Sequence, residues 1–191
     1  MAASAVPAAT SPPAQRGWRW VAVPVVVFAL VSLTAGILAG HEPRSKGYFR
    51  LFFSDPVHLK AGFATAAIAL ACFQLFTAAW IFRKLPWSKP AWVNPAHRWS
   101  GRLAFLCTLP VAYHCIFKLG FRHPDSRVLA HSLLGCAVYG AFVVKVFAVR
   151  SRSAPGWFLP VAGGLLFALL MAAVLTSAGW YVTTRGWPTR S

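Results

Sequence analysis

The spacing of charge along this chain limits its fold more than any other feature. Stretches of roughly 18 to 25 residues pass with at most one ionisable side chain, and at about 1.5 Å of rise per residue each is long enough to cross the ~30 Å hydrocarbon core of a bilayer as a helix. Five such stretches can be placed, at residues 20–40, 57–82, 99–117, 128–149 and 157–182. The expected fold class is therefore all-α, a polytopic membrane bundle of five transmembrane helices. Composition agrees, since 12% of the 191 residues are charged, about half the share of a soluble domain. The bundle is expected to occupy residues 19–182, with residues 1–18 a disordered tail and 183–191 a short C-terminal tail. That leaves no room for a soluble domain of the usual ~100 residues, so any chemistry belongs to the bundle or its loops.

The first stretch could be mistaken for a secretory signal. Its apolar run exceeds the roughly 7 to 15 residues of a signal core, and Ile37 and Leu38 spoil a small-x-small cleavage site, so it reads as an anchor. Pro24, Pro110 and Pro160 predict kinks, because each removes a backbone donor within a span. Ala61, Gly62, Thr65, Ala66 and Ala69 on the second span, with Gly135 and Gly140 on the fourth, permit close helix approach. Trp80, Trp87, Trp92, Trp99, Trp157, Trp180 and Trp187 cluster near span ends, where indole suits the head-group layer.

A formal charge of +16 would raise the question of nucleic acid on a soluble chain. Here the cations lie between apolar runs and no basic recognition helix appears, so the expected partner is the lipid bilayer and not nucleic acid. Cys72, Cys107, Cys115 and Cys136 all fall inside apolar runs without Cys-x-x-Cys spacing, which argues for packing and against a disulfide framework or zinc site. Orientation rests on loop cations. The densest group, Arg83, Lys84, Lys89, Arg98 and Arg102 between the second and third spans, predicts a multi-pass cell-membrane protein with a cytoplasmic N-terminus.

Glu42, Asp55 and Asp125, the only acids, fall in loops, so no intramembrane carboxylate is available for a proton-coupled carrier. The histidines differ. With the N-terminus inside, His58, His114 and His131 converge on the outer leaflet, His114 and His131 lying about 6 Å deep by helical rise, while His97 belongs to the opposite surface. Imidazoles on facing helices are frequent axial ligands of a membrane haem. His58 and His131 each carry a glycine four residues on, Gly62 and Gly135, which leaves room on the same helix face for a flat macrocycle. His97 with Gly101 repeats the pattern, so spacing alone does not select among them. An interfacial histidine hydrogen-bonded to a neighbouring carbonyl is the simpler alternative for each.

The run His97-Arg98-Trp99-Ser100-Gly101-Arg102, then His114, His131-Ser132-Leu133-Leu134-Gly135 and Tyr139-Gly140, resembles a poorly characterised family of small bacterial multi-pass membrane proteins. Residues 57–150 are also similar, in helix number and in one histidine per helix end, to the cytochrome b561 and ferric-reductase-like transmembrane superfamily. That resemblance implies haem b between paired histidines and electron transfer, with His58 and His131 as the pair holding the iron. The fifth span departs from it, having no histidine for a second haem.

The expectation is thus a b-type cytochrome-like membrane protein holding one haem near the outer leaflet and exchanging electrons with a quinone or a redox partner protein. His58 and His131 are the expected metal ligands and His114 the reserve. Lys60, Lys118 and Arg127 stand where they could pair with the propionates, although snorkelling to lipid explains them equally well. The alternative is a cofactor-free integral subunit of a larger complex.

Overall fold

A computed structural model describes residues 13–42 and 46–186. The expected tails at 1–12 and 187–191 lie outside the described residues. Helix α1 spans Pro13–Ala39, α2 Pro56–Ile81 and α3 Val93–Ala112, which runs on as a π-helical segment, Tyr113–Leu119. Helix α4 spans Ser126–Arg150 and α5 Phe158–Val174, which continues through a π-helical turn, Leu175–Gly179, into the short α6, Trp180–Arg185. No strand occurs among the described residues. Five helical segments are long and apolar enough to cross a membrane, so the chain is an all-α, multi-pass membrane protein.

Local chemistry explains most of the boundaries. Asp55 and Asp125 are N-caps: Asp55 Oδ1 accepts the Val57 and His58 N–H groups at 2.7 and 2.9 Å, and Asp125 Oδ1 accepts that of Val128 at 2.8 Å. Pro56 follows Asp55 at the start of α2, where its missing N–H is harmless. The same reason corrects the expected kink at Pro160 and the expected start of the third span. Pro160 lies in the first turn of α5 and Pro95 in the first turn of α3, so Pro160 makes no mid-span kink and α3 begins at Val93, ahead of the expected 99. Helix α1 likewise starts at Pro13, so residues 13–18 belong to a helix and not to a tail. Pro110 precedes the π-helical end of α3, a true departure from α-geometry inside a span.

Helix α1 packs on α4, α4 on α5, α5 on α2 and α2 on α3, while the π-helical end of α3 touches α1. Lipid tails are as apolar as leucine, so association here depends on close backbone approach. The core shows it: nine of the fourteen buried apolar residues among those described are alanine. The tightest approach is at Gly140, where a Cβ would meet the Phe28 carbonyl oxygen at 2.7 Å and the Ser32 hydroxyl across the α1–α4 contact. Large side chains such as Leu30, Leu33 and Ile37 face outward, as a lipid-facing surface requires. Helices α2 and α4 stand opposite each other without packing along their length, and the space between them is the main cavity.

Candidate functional site

The cavity has a volume of about 350 Å³ and lies at the end of the bundle that carries the α1–α2 and α3–α4 loops. Its walls come from α2 through Lys60, Ala61, Ala64 and Ala67, from the end of α3 through Thr108 and Cys115, from α4 through His131, Gly135 and Tyr139, and from the α5–α6 segment. Lys60 to Ala67 is about 10 Å of helix and Arg127 to Tyr139 about 18 Å, so the cavity runs from the head-group level toward the membrane midplane. The small side chains of α2 open the space, and cations cluster toward the helix ends. A body without charge and a head with negative charge is the ligand shape that this arrangement receives.

His131 is the imidazole of this cavity. Its Nδ1 lies 3.0 Å from the Ala173 carbonyl of α5 and 3.4 Å from the Thr176 hydroxyl. A carbonyl can only accept, so Nδ1 carries the proton and donates, and Nε2 keeps its lone pair. Among the described residues no group hydrogen-bonds Nε2. This is the tautomer of a metal-bound histidine that is oriented by a backbone carbonyl. The glycine one turn on, Gly135, also lines the cavity, and a Cβ there would meet nothing within 4 Å.

Arg127 is fixed at the rim by three contacts. Its Nη1 donates to the Thr176 carbonyl at 2.9 Å, its Nη2 lies 3.8 Å from Asp125, and its Cζ sits 3.9 Å over the Trp180 ring. Trp180 opens α6 directly after the π-helical turn, so that widened turn supplies both the Thr176 carbonyl that Arg127 bonds and the indole beneath it. Lys60 completes the cationic rim from α2.

The remaining expected residues lie elsewhere. His58 is not part of the cavity wall: its Nδ1 is held by the Asp55 carboxylate and by the Ser54 hydroxyl, the latter at 2.6 Å. The Asp55 carboxyl is held below its ordinary titration range, chiefly by the backbone N–H of His58. The glycine one turn after His58 is covered too, since a Cβ at Gly62 would stand 2.7 Å from the Phe53 ring. His114 is 0% exposed, inside a cage of Tyr48, Phe49 and Tyr113. Its Nδ1 donates to the Pro110 carbonyl at 2.8 Å, and its buried Nε2 has no hydrogen-bond partner. Lys118 turns away, donating to the Lys46 carbonyl at 3.1 Å. The structure thus brings together His131, Lys60 and Arg127, and leaves His58, His114 and Lys118 outside.

Sequence reasoning missed several cavity residues. Tyr139 and Thr108, joined at 3.3 Å, face it across α3 and α4, and the thiols Cys115 and Cys136, read as packing, also line it. Trp180, read as a belt residue, is the seat of Arg127. The Thr176-Ser177 pair near the end of the last span was the available signal, because hydroxyls deep in an apolar helix commonly bond back to carbonyls four residues earlier.

The profile of one protein family matches residues 20–189, from the first span through the last. The chain belongs to DUF6529, a family of unknown function. No curated protein and no solved structure matches this DUF6529 chain. The expectation of a family without an assigned activity agrees with that membership.

Proposed function

We propose that this DUF6529 protein binds one haem b in the cavity between α2 and α4 and serves in electron transfer across or along the membrane. The observation that carries the reading is His131, whose Nδ1–H is given to the Ala173 carbonyl while Nε2 is left with a lone pair on a residue of the cavity wall. Gly135 leaves the adjoining helix surface open for a flat ring, and Arg127 and Lys60 suit propionate groups as charge-assisted donors. The cavity offers one imidazole, so the fit is to a haem with a single histidine ligand. When bound, the haem would supply one-electron chemistry. The chain's own part is to hold the ring at fixed depth, to exclude water with α5 and α6, and to balance the propionate charge. Electrons would pass to or from a quinone in the bilayer or a redox partner protein, and the cation-rich α2–α3 loop would face the cytoplasm.

Expression with ample haem, followed by purification in detergent, tests this. A Soret band that disappears in His131→Ala and in Gly135→Leu, but persists in His58→Ala and His114→Ala, is the expected result. Carbon monoxide should bind the reduced protein, because His131 is the one imidazole of the cavity wall that could hold the iron. Loss of the band in His58→Ala as well would move the assignment to a two-histidine haem. Colourless, well-folded protein would replace this reading with that of a cofactor-free membrane subunit.

A further inference from the structure

The end of the bundle that carries the α2–α3 loop holds a second group of polar side chains inside the spans, away from the cavity. Gln74 and Thr77 of α2, His97 and Ser100 of α3, and Lys145 of α4 form one network. The Thr77 hydroxyl lies 2.8 Å from His97 Nδ1. Gln74 Nε2 donates to the Ser100 hydroxyl at 2.7 Å and to the His97 carbonyl, so both of its N–H groups are used. Its Oε1 is left to accept from Lys145 Nζ at 3.5 Å.

One long contact with a neutral amide does not balance an ammonium group. The whole sequence contains three acids, Glu42, Asp55 and Asp125, and all three lie at the opposite end. Asp55 and Asp125 are engaged there as helix caps. Asp125 immediately precedes α4, and Lys145 is twenty residues farther along, about 30 Å by helical rise. No acidic side chain of this chain can therefore reach Lys145. A cation within a span is costly unless it is paired or drawn out to the interface. Lys145 is instead turned across the bundle to α2, and it is only partly buried, so an outside group can approach it.

We propose that Lys145, held in this network by Gln74, is a binding site for the phosphate of an anionic lipid from the leaflet at the α2–α3 end. The depth suits a lipid head group: Lys145 is five residues from the end of α4 at Arg150, about 7.5 Å, and a lysine side chain covers most of that distance. The surrounding surface enriches such lipids, since Arg98, Arg102 and Arg150 are exposed at the same end. The Thr77 hydroxyl gives its proton to the Phe73 carbonyl at 2.9 Å and so accepts from His97 Nδ1, which leaves Lys145 as the donor to the phosphate. Gln74, fully engaged, holds the lysine in position and offers nothing further. This site is independent of the haem reading, because none of its residues lines the cavity.

Native mass spectrometry of the full chain, delipidated and then supplied with phosphatidylglycerol or phosphatidylcholine, tests the proposal. The parent and Lys145→Arg are expected to retain phosphatidylglycerol, and Lys145→Met to retain about fivefold less, the worth of one lysine near an anionic surface. Phosphatidylcholine should not distinguish parent from variant, and His58→Ala, at the opposite end of the bundle, should retain phosphatidylglycerol as the parent does. Equal phosphatidylglycerol retention by parent and Lys145→Met would overturn the site. So would protection by inorganic phosphate alone without phosphatidylglycerol binding, which would make the ligand a free anion. Should Lys145→Met fail to fold, Lys145→Gln removes the charge while keeping polarity, and its retention is judged by the same fivefold difference.

Discussion

His131 on α4 and the Ala173 carbonyl on α5 are joined at 3.0 Å, and the same carbonyl accepts the Ser177 hydroxyl at 2.7 Å and the Thr176 hydroxyl at 3.1 Å. The π-helical turn begins two residues after Ala173 and ends at Gly179, just before Trp180, the ring beneath Arg127. π-Helical turns are rare and recur at functional sites, because the extra residue redirects side chains that an α-helix would aim elsewhere. The π-helical turn thus places the cavity's best-anchored cation through the Thr176 carbonyl and Trp180, while the carbonyl that fixes the imidazole's tautomer lies in the last turn of α5 just before it.

Arg127 should therefore resist replacement by lysine. Arg127→Lys keeps the charge but loses the flat guanidinium that stacks on Trp180 while donating to Thr176. The expected cost is about 1 kcal/mol of stability, together with a change in tryptophan emission as the indole loses its partner. Thermal unfolding in detergent reads the first and fluorescence the second. An Arg127→Lys protein with parental stability and emission would show that the stacking contributes nothing.

Two glycines on α4 should behave in opposite ways. A Cβ at Gly140 would press on the Phe28 carbonyl oxygen at 2.7 Å, a backbone atom that moves only if α1 moves, so Gly140→Val should cost roughly 1 to 3 kcal/mol. Gly135 has nothing within 4 Å of its missing Cβ, and Gly135→Ala should be neutral or slightly stabilising through helix propensity. Melting curves of the two variants should separate clearly. Similar curves would mean that α1 does not pack on α4 as described.

The spans were legible in the sequence because lipid enforces long uncharged helices, and a count of charge finds them. The cationic rim was legible for the same reason: Lys60 and Arg127 stand out near span ends that have few polar residues. The fate of His58 was also written locally, in the run Ser54-Asp55-Pro56-Val57-His58, where a cap aspartate precedes histidine by three residues and can reach its ring. Other features were not legible. The π-helical turns add a residue per turn without any change in composition, so nothing marked the Thr176 carbonyl and Trp180 as the seat of Arg127. The cage around His114 depends on Tyr48 and Phe49 folding back from the α1–α2 loop, a long-range contact that helical periodicity does not encode.

Asp55 links the α2 cap to pH. Its folded-state pKa is lowered, so its contribution is complete above the ordinary carboxylate value of 3.8 and is lost as pH falls through the still lower folded value. The side chain is 42% exposed, which weakens the effect through solvent screening. Asp55→Ala should cost about 1 kcal/mol at neutral pH, the usual worth of a helix cap, and should flatten the acid limb of the stability profile. The same variant also releases the His58 ring from its carboxylate. A parental acid limb in Asp55→Ala would place the acid sensitivity on another group.

The last expectation concerns which way the protein sits. Helices α2 and α3 are joined by residues 82–92, a short connection in which the Trp80 indole donates to the Trp87 and Ser88 carbonyls at 3.2 Å and Trp92 packs edge-on against Trp80. Tryptophans tied together this way suit the head-group layer, and Arg83, Lys84 and Lys89 lie in the same loop. Short loops rich in lysine and arginine are retained on the cytoplasmic side, so this loop and the N-terminus should both be cytoplasmic, with the α1–α2 and α3–α4 loops outside. Ser88→Cys offers an exposed reporter that disturbs no hydrogen bond of the serine side chain among the described residues. In intact cells a membrane-impermeant maleimide should leave the Ser88→Cys protein unlabelled until the membrane is opened, while the Ser126→Cys protein, altered at an exposed position, should react at once. Labelling of the Ser88→Cys protein in intact cells, with Ser126→Cys protected, would invert the topology and place the cavity mouth on the cytoplasmic side.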